Sequence, residues 1–339
     1  MTLKATGHLV CALLVGASGG GLASAIGLPA PWLMGPTLLV AAASLSGLRA
    51  EVPRWLRDGA FACIGLSIGS GIDGQTLDHA RQWGPSLLAV PLCTLAVMLL
   101  SSAFLQRVCG LDRDSARMAS SPGSMSYTLA LVLEGRGHLP SVLTIQSTRL
   151  FAMTAVLPPL LALGAPLASG GRVELSLPAF ASLLALAIPC GLLLSRWNVP
   201  VASLMAGMVI SAIGHAADWV HGVPPQLVSL PVYVVTGTVV GSRFTKITLA
   251  DLRRLFPAAL SAMVIALLVA AAFAWGLVQV SDLSLGQAWV ALAPGGVEAM
   301  VAVALALGFD PTFVAAHHFL RIILLSVVMP LWLGRRTQA

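Results

Sequence analysis

The sequence predicts an all-α integral membrane protein of two inverted-topology repeats, with about ten crossings and two broken or re-entrant helices. Three observations lead to this fold class: an apolar composition, an internal repeat, and a reversal of loop charge between the repeats. Of the 339 residues, 57% are hydrophobic and 9% are charged, whereas about a quarter of the residues in soluble domains are charged. Uncharged runs such as 7–48 and 255–281 are long enough to cross a hydrocarbon core about 30 Å thick.

The net charge of +6, from 19 basic and 13 acidic residues, does not predict nucleic-acid binding. The sequence has no basic run, and the surplus lies in loops between apolar segments, where the positive-inside rule places it. These loops are at most about 15 residues long, too short to hold a module that reads DNA bases. We therefore expect no direct contact with nucleic acid.

The residues that metal and redox enzymes need do not form clusters in this sequence. The five cysteines form no Cys-x-x-Cys pair and no cluster with histidine, and no glycine-rich dinucleotide motif follows a strand. We therefore expect no metal, no cofactor and no enzymatic reaction. The cysteines are expected to be small, buried apolar residues.

The chain repeats itself after about half its length, at a nearly constant offset. Leu28-Pro29 matches Val199-Pro200, and the colinear pairs that follow are Gly65/Gly237, Gly69/Gly241, Pro122/Pro294, Arg149/Arg321 and Pro158/Pro330. One offset held across about 130 positions predicts two homologous halves, residues 1–165 and 175–339, joined by a linker at 166–174. Each half holds six apolar segments, namely 7–26, 30–47, 58–72, 84–106, 116–134 and 140–164, then 176–195, 200–214, 224–241, 256–279, 284–307 and 312–334.

All twelve segments are expected to be helices. Backbone exposed to lipid must satisfy its own hydrogen bonds, and the even alternation of an outer-membrane barrel is missing from the sequence. The Gly65/Gly69 and Gly237/Gly241 pairs place small residues on one helix face, which permits close helix packing.

Loop charge predicts that the two halves have opposite orientations. The loop after the second segment holds Arg49, Arg54 and Arg57, whereas its counterpart at 215–225 holds no lysine or arginine. The loop after the third segment shows the reverse, because the basic residues lie in the second half at Arg243, Lys246, Arg253 and Arg254. The loop after the fourth segment is again basic in the first half, at Arg107, Arg113 and Arg117. By the positive-inside rule the repeat is inverted, and both chain termini are cytoplasmic.

Inversion requires an odd number of crossings per half, so one of the six segments should enter and leave on the same side. The fifth segment is the best candidate, because Ser121-Pro122-Gly123-Ser124 and Ala293-Pro294-Gly295-Gly296 interrupt it. Proline lacks a backbone donor and glycine adopts unusual dihedral angles, so both motifs predict a broken helix.

Inverted repeats with helices broken at matching positions are typical of secondary transporters, whose substrate site forms near the membrane midplane. Arg149 lies nine residues after Pro140, and Arg321 lies ten residues after Pro311. These separations correspond to about 14–15 Å along a helix. A charge at that depth costs about 2.5 kcal/mol or more unless it is paired or faces water. Glu298 is the expected partner of Arg321, and Glu134 a weaker one of Arg149. The predicted substrate-binding residues are Pro122, Gly123, Ser124, Ser126, Arg149, Pro294, Gly295, Gly296, Glu298 and Arg321, and the predicted proton- or ion-coupling residues are Glu298, His317 and His318.

Each of these residues also has a structural interpretation. The arginines either coordinate an anion, together with the starts of the half-helices, or lock the hairpin through ion pairs or backbone carbonyls. Adjacent residues on a helix face different sides, so at most one of His317 and His318 is expected beside Arg321, and a structural role for the histidines is equally open. Gln146 holds the position of His318 in the first half and offers amide hydrogen bonds without titration. The same two interpretations apply to the hydroxyl groups of Ser124, Ser126 and Tyr127.

Three segments resemble the membrane AbrB duplication family: residues 28–36, residues 293–300, and residues 310–321 with the His-His-Phe-Leu-Arg ending. Members of that family are labelled AbrB family transcriptional regulators or ammonia monooxygenases. The resemblance covers essentially the whole chain, and it implies a bacterial inner-membrane protein with a duplicated domain that is linked by name to gene regulation. It also implies distant similarity to cation/proton antiporters and bile-acid-type symporters. The first half departs from the motif, with Ser124 for the second glycine and Ser126 in the place of Glu298.

These observations predict a secondary transporter in the inner membrane that carries a small, anionic solute, with H⁺ or Na⁺ as the coupling ion. The alternative is a membrane-embedded regulator that changes gene expression indirectly and moves no solute. The expected partners are therefore the solute, the coupling ion and membrane lipid.

Overall fold

In the computed structural model, the described residues are 3–72, 83–122, 128, 131–132, 136–162, 173–197 and 199–333. Over these residues the chain is helical, and the only β pairing is an isolated parallel bridge between Glu174 and Val223. The helices are α1 Leu3–Ala25, α2 Pro31–Leu45, α3 Arg54–Gly69, α4 Gly84–Arg107, α5 Arg113–Ser120, α6 Leu139–Ala155, α7 Leu157–Ala162, α8 Leu177–Arg196, α9 Ala202–Ala216, α10 Gln226–Ser242, α11 Leu249–Val278, α12 Leu285–Leu292, α13 Val297–Leu307 and α14 Pro311–Leu333, with a 3₁₀ turn at Arg243–Lys246.

Six described stretches are long and apolar enough to cross a membrane: Thr6–Ala25, Gly84–Arg107, Leu177–Arg196, Gln226–Lys246, Leu249–Val278 and Pro311–Leu333. Shorter apolar helices lie at Pro31–Leu45, Ala202–Ala216 and Val297–Leu307. Leucines such as Leu14, Leu88 and Leu268 are more than 60% exposed on the long helices, which suits contact with lipid better than contact with water. The prediction of an all-α membrane protein is confirmed.

Two of the differences between the observed and the predicted helix limits have a local cause in the sequence. Helix α11 begins at Leu249 and not near residue 256, because the hydroxyl oxygen of Thr248 caps it by accepting a hydrogen bond from the amide of Asp251. The apolar run marks the lipid-embedded part of a helix, whereas the cap decides where the helix starts. The predicted segment 140–164 is divided after Ala155, just before the two prolines of α7, which cannot donate backbone hydrogen bonds.

The described cysteines differ in burial. Cys63 and Cys93 are buried, as expected, and Cys109 is half-buried. Cys11 and Cys190 are exposed on their helices, so the prediction of burial is wrong for these two. An apolar run in a membrane helix does not by itself distinguish a side that faces protein from a side that faces lipid.

The chain forms two compact units, and each takes segments from both predicted halves. The first unit comprises Met1–Trp83, Thr154–Thr245 and Val297–Ala315. The second unit comprises Gly84–Met153, Lys246–Gly296 and Ala316–Ala339. The predicted linker at 166–174 lies almost entirely outside the described residues, and the limits of the predicted halves stay a prediction.

In the first unit, helices of one predicted half pack tightly on helices of the other. Helix α3 packs against α9, and α10 packs against α2. A Cβ atom on any of four glycines would press against backbone of the facing helix, which is Leu204 for Gly65, Met208 for Gly69, Leu33 for Gly237 and Thr37 for Gly241. The predicted role of these glycines in close helix packing is confirmed.

In the second unit, α4 and α11 form an antiparallel pair. Val90 and Cys93 near the start of α4 pack in a cluster with Ala274 near the end of α11. Leu105 at the end of α4 packs instead with Ala258 near the start of α11. The two helices therefore run in opposite directions along a shared stripe of small residues.

Candidate functional site

Two short helices end at the predicted breaks. Helices α5 and α12 have eight residues each and begin at equivalent positions of the sequence repeat. Each starts at a side-chain cap: the Asp112 carboxylate accepts from the amide of Ser115 at 2.9 Å, and the Ser284 hydroxyl oxygen accepts from the amide of Gln287 at 3.2 Å.

The break after α12 is described in full. Residues 293–296 are not helical, and α13 begins at Val297, so the predicted break around Pro294, Gly295 and Gly296 is confirmed. In the first half, α5 ends at Ser120 before Ser121 and Pro122. The predicted site residues Gly123, Ser124 and Ser126 lie outside the described residues, as do Tyr127 and Glu134.

Arg321 on α14 is directed at the break after α12. Its Nη1 atom donates to the Ala293 carbonyl at 2.7 Å, and its Nη2 atom donates to the Gly295 carbonyl at 2.7 Å. Nη2 also contacts Nδ1 of His318 one turn earlier. The side chain is buried, with 3% of the residue surface exposed.

Arg149 on α6 makes the corresponding contacts with the end of α5. Its Nη1 atom donates to the carbonyls of Ala119 at 3.2 Å and Ser120 at 3.3 Å, and its Nη2 atom donates to the carbonyl of Ser121 at 2.8 Å. Only 4% of the residue surface is exposed. The two arginines are equivalent in the sequence repeat, and each binds the carboxyl end of a short helix.

These contacts have a simple physical cause. The last carbonyl groups of a helix have no partner within the helix and carry the negative end of its dipole. In a membrane such groups cannot be left to water, so a guanidinium with several fixed donors stabilises them well. This geometry is the carbonyl contact that the structural interpretation of Arg149 and Arg321 anticipates.

One donor atom of Arg321 takes no part in these carbonyl contacts. Its Nε atom is buried and has no hydrogen-bond partner among the residues that the structure describes. A buried donor without an acceptor costs roughly 1–3 kcal/mol, and more when the donor is charged. One charged donor of Arg321 is therefore buried without an acceptor among the described residues.

Gln146 and His318 occupy equivalent positions and make equivalent contacts. Nε2 of Gln146 donates to the Met118 carbonyl at 2.7 Å, and Nε2 of His318 lies 3.1 Å from the Val290 carbonyl. Because a carbonyl only accepts, Nε2 of His318 carries a proton, and Nδ1 of the neutral ring is free to accept from Arg321. The predicted amide contact of Gln146 is confirmed.

The adjacent histidine points elsewhere. Nε2 of His317 lies 2.8 Å from the hydroxyl oxygen of Ser86 on α4, and both residues are buried. The prediction that at most one of the two histidines lies beside Arg321 is confirmed, and that residue is His318.

Glu298 lies in the first turn of α13, where a carboxylate suits the positive end of the helix dipole. It is half-buried and within electrostatic range of Arg243 in the same unit. Arg321 belongs to the other unit, so the pairing of Glu298 with Arg321 stays a prediction.

Comparison with known proteins decides the family. The family model described as "Transition state regulatory protein AbrB" matches residues 1–85 and 32–335 of this chain. The chain belongs to the AbrB family. The family assignment predicted from the three sequence motifs is thereby confirmed.

Two relatives match nearly the whole chain of this AbrB family member. "Putative regulator AbrB" of Escherichia coli (strain K12) is 25% identical over 312 residues, which cover 90% of each protein. "Uncharacterized protein YhjN" of Bacillus subtilis (strain 168) is 23% identical over an alignment of 358 positions, which covers 94% of this chain and 90% of that protein.

The structure of this AbrB family member also reveals polar groups that the sequence analysis missed. Thr144 on α6 and Ser101 on α4 are buried, and neither hydroxyl group has a hydrogen-bond partner among the described residues. The signal was present in the sequence, since 141–148 carries hydroxyl residues at helical spacing where the equivalent 313–320 carries none. These hydroxyl groups lie on the same helix as Arg149 and on its neighbour α4, and they are further candidates for the functional site.

Proposed function

We propose that this protein is a secondary transporter for a small anionic solute. The observation that carries the proposal is the buried Nε atom of Arg321, a charged donor without a partner among the described residues, placed beside a broken membrane helix. A carboxylate accepts two parallel hydrogen bonds from a guanidinium. An anion that approached Nε would satisfy this donor and compete with the Gly295 carbonyl for the neighbouring Nη2 atom.

The architecture of the second unit supports an inverted repeat, which is typical of such transporters. Helices α4 and α11 are equivalent in the sequence repeat and run antiparallel. The segment that follows α4 lies at the start of α11. The equivalent segment in the sequence repeat, 279–285, follows the other end of α11. Helix α11 has 30 residues, so its two ends are about 43 Å apart. Equivalent loops at opposite ends of one membrane helix are what an inverted repeat requires.

The proposed site residues are those predicted from the sequence. Substrate is proposed to bind at the two breaks, through Arg149 and Arg321 and the residues Pro122, Gly123, Ser124, Ser126, Pro294, Gly295, Gly296 and Glu298. Glu298, His317 and His318 are proposed to couple solute movement to H⁺ or Na⁺. No cofactor and no catalytic step are part of this proposal, and the protein is proposed to lie in the bacterial inner membrane.

The test combines a ligand screen with flux. Purified protein is screened by thermal unfolding against small carboxylates and phosphates, and each stabilising anion is tested for uptake into proteoliposomes. We expect at least one anion to raise the Tm and to be taken up. Failure of every anion to enter wild-type proteoliposomes would contradict the proposal.

The paired substitution Arg321→Gln with Glu298→Gln separates a binding role from a structural role. If the two residues pair as predicted, removing one charge alone leaves the other without compensation in a poorly solvated place. The double variant removes both charges, so it should fold and insert while anion response is lost. If the double variant responds to anions as the wild type does, both residues have a structural role and do not bind the solute.

The second candidate function is indirect regulation of gene expression from the membrane. It is favoured by the name of the Escherichia coli relative, which is described as a regulator. A regulator that moves no solute would change transcript levels when the gene is deleted, and purified protein would bind a ligand without catalysing its flux.

A further inference from the structure

The second unit contains a cavity of about 570 Å³ that is separate from the arginine contacts at the two breaks. It lies where α4 ends and where α5, α6 and α11 begin. Its volume is within the usual range of small-molecule sites, roughly 300–1,000 Å³. The lining residues are Phe104, Val108, Cys109, Gly110, Leu111, Asp112, His138, Ser141, Arg254, Leu255, Pro257, Ala258 and Ser261.

The cavity presents one cation and one anion that do not pair with each other. Arg254 makes no hydrogen bond or ion pair with any residue that the structure describes. The Asp112 carboxylate uses Oδ2 to cap α5, which leaves Oδ1 as an acceptor. His138 binds the Ser141 hydroxyl through Nδ1 at 2.9 Å, and its Nε2 atom has no partner among the described residues.

The remaining wall is apolar and continues into surface that suits lipid. Phe104, Leu111 and Leu255 line the cavity. Val108 also lines it and is 66% exposed, and Phe256, next to Leu255 on α11, is 50% exposed. A ligand with a polar head and an apolar tail would place its head against Arg254 and Asp112 and its tail along this wall.

We propose that this cavity binds the headgroup of a zwitterionic phospholipid with a primary ammonium, as in phosphatidylethanolamine. The phosphate diester is held by the Arg254 guanidinium, with His138 as a further donor. The ammonium group donates to the Asp112 carboxylate. A purely anionic headgroup would meet Asp112 unfavourably, and a choline headgroup has no N–H to donate. This inference does not depend on the transport proposal, because it uses none of the residues at the breaks.

Occupancy would also have a structural consequence. Asp112 is the cap of α5, and the other end of α5 provides the carbonyl groups that bind Arg149. A lipid that fixes Asp112 therefore steadies the helix that carries the first break.

The test measures thermal unfolding of the full-length protein in detergent with one added lipid: phosphatidylethanolamine, phosphatidylcholine or phosphatidylglycerol. We expect phosphatidylethanolamine to raise the Tm of the wild type by about 2–4 °C more than either other lipid does. Arg254→Gln should abolish this increment. Arg253→Gln is the matched control, since Arg253 is an exposed neighbour on the same helix and does not line the cavity. It should behave as the wild type.

A third variant tests the ammonium contact without removing the cap. Asparagine caps helices as well as aspartate does, so Asp112→Asn should fold normally and lose the preference for phosphatidylethanolamine over phosphatidylcholine. Equal stabilisation by all three lipids, or an unchanged increment in Arg254→Gln, would overturn the proposal. Equal stabilisation by water-soluble glycerophosphoethanolamine would also overturn it, because the occupant would then be a free zwitterion.

Discussion

At the level of single residues, the clearest feature is that one contact recurs with two different side chains. Gln146 and His318 are equivalent in the sequence repeat, and each binds the penultimate turn of a short helix through Nε2. Glutamine and neutral histidine both place a donor at this position, but only histidine has a second ring nitrogen that can accept a proton. The two positions therefore allow a structural contact to be separated from a titratable one within a single chain.

His318→Gln is expected to keep the fold, because the amide reproduces the bond to the Val290 carbonyl. His318→Leu removes that bond and leaves a buried carbonyl without a partner, which should cost roughly 1–3 kcal/mol of unfolding free energy. If His318 couples solute to protons, His318→Gln should also remove the pH dependence of uptake. Thermal unfolding and uptake at several pH values measure the two effects, with Gln146→Leu as the structural control. A decrease in Tm in His318→Gln as large as that in His318→Leu would disprove the proposal that glutamine can replace the structural contact of His318.

Arg321→Lys tests the planar guanidinium. A lysine ammonium is a point charge and cannot bind the Ala293 and Gly295 carbonyls together while offering a further parallel donor. We expect the protein to insert, with a lower Tm and an anion affinity reduced about tenfold or more, equivalent to about 1.4 kcal/mol. Arg149→Lys is the comparison, measured in the same binding assay. Unchanged anion affinity in Arg321→Lys would exclude bidentate recognition at this arginine.

The sequence was sufficient to place Arg321 beside the break but not to identify its acceptors. The usual partner of a membrane arginine is a carboxylate, which is why Glu298 was expected. The acceptors in the structure are backbone carbonyls, which carry no sequence signature because every residue has one. For the same reason, the corresponding hydrogen bonds of Arg149 to the carbonyls of Ala119 and Ser120 could not be derived from residue types.

At the level of the helices, the glycine pairs decide which surfaces meet. Gly65→Ala should place a Cβ atom into the Leu204 backbone, and α3 and α9 would have to separate. Overpacking of this kind costs typically about 1–3 kcal/mol. Gly59→Ala is a control on the same helix, because its Cβ atom would meet nothing within 4 Å, and alanine favours helix by about 1 kcal/mol.

Thermal unfolding in detergent should show a lower Tm for Gly65→Ala and an unchanged or higher Tm for Gly59→Ala. An equal fall in both variants would mean that helix α3 tolerates no substitution at all, and the close approach to α9 would not be the cause. Gly237→Ala, which meets the Leu33 carbonyl on α2, should behave like Gly65→Ala.

Element types were largely predictable, whereas their assembly was not. Apolar runs and the Pro-Gly motifs located the membrane helices and the breaks, since both effects are local to the chain. Which helices pack together depends on contacts such as that of Gly65 with Leu204, far apart in the sequence. Sequence reasoning divided the chain into two consecutive homologous halves, and each compact unit combines segments of both.

At the level of the whole molecule, the remaining question is how the repeats lie in the membrane. In the first unit, the Thr245 hydroxyl oxygen lies 3.3 Å from the Ser44 hydroxyl oxygen and 3.4 Å from the Ala50 carbonyl oxygen, and its one hydrogen is shared between these two acceptors. The basic segment after α10 therefore meets the basic loop after α2, although the two occupy different positions in the repeat. Both contain several basic residues, and the positive-inside rule predicts the cytoplasmic side for both.

Cysteine labelling in a variant without the five native cysteines tests this topology. Glu51→Cys and Lys246→Cys are at exposed positions, one in each of the two basic loops. Trp219→Cys is exposed in the loop at 215–225, which is the repeat equivalent of the loop that holds Glu51. A membrane-impermeant maleimide added to spheroplasts should label Trp219→Cys and spare the other two until the cells are opened. This pattern requires equivalent loops on opposite sides and non-equivalent loops together, which a parallel duplication does not produce. Labelling of Glu51→Cys and Trp219→Cys from the same side would exclude the inverted repeat, and with it the main architectural support for transport.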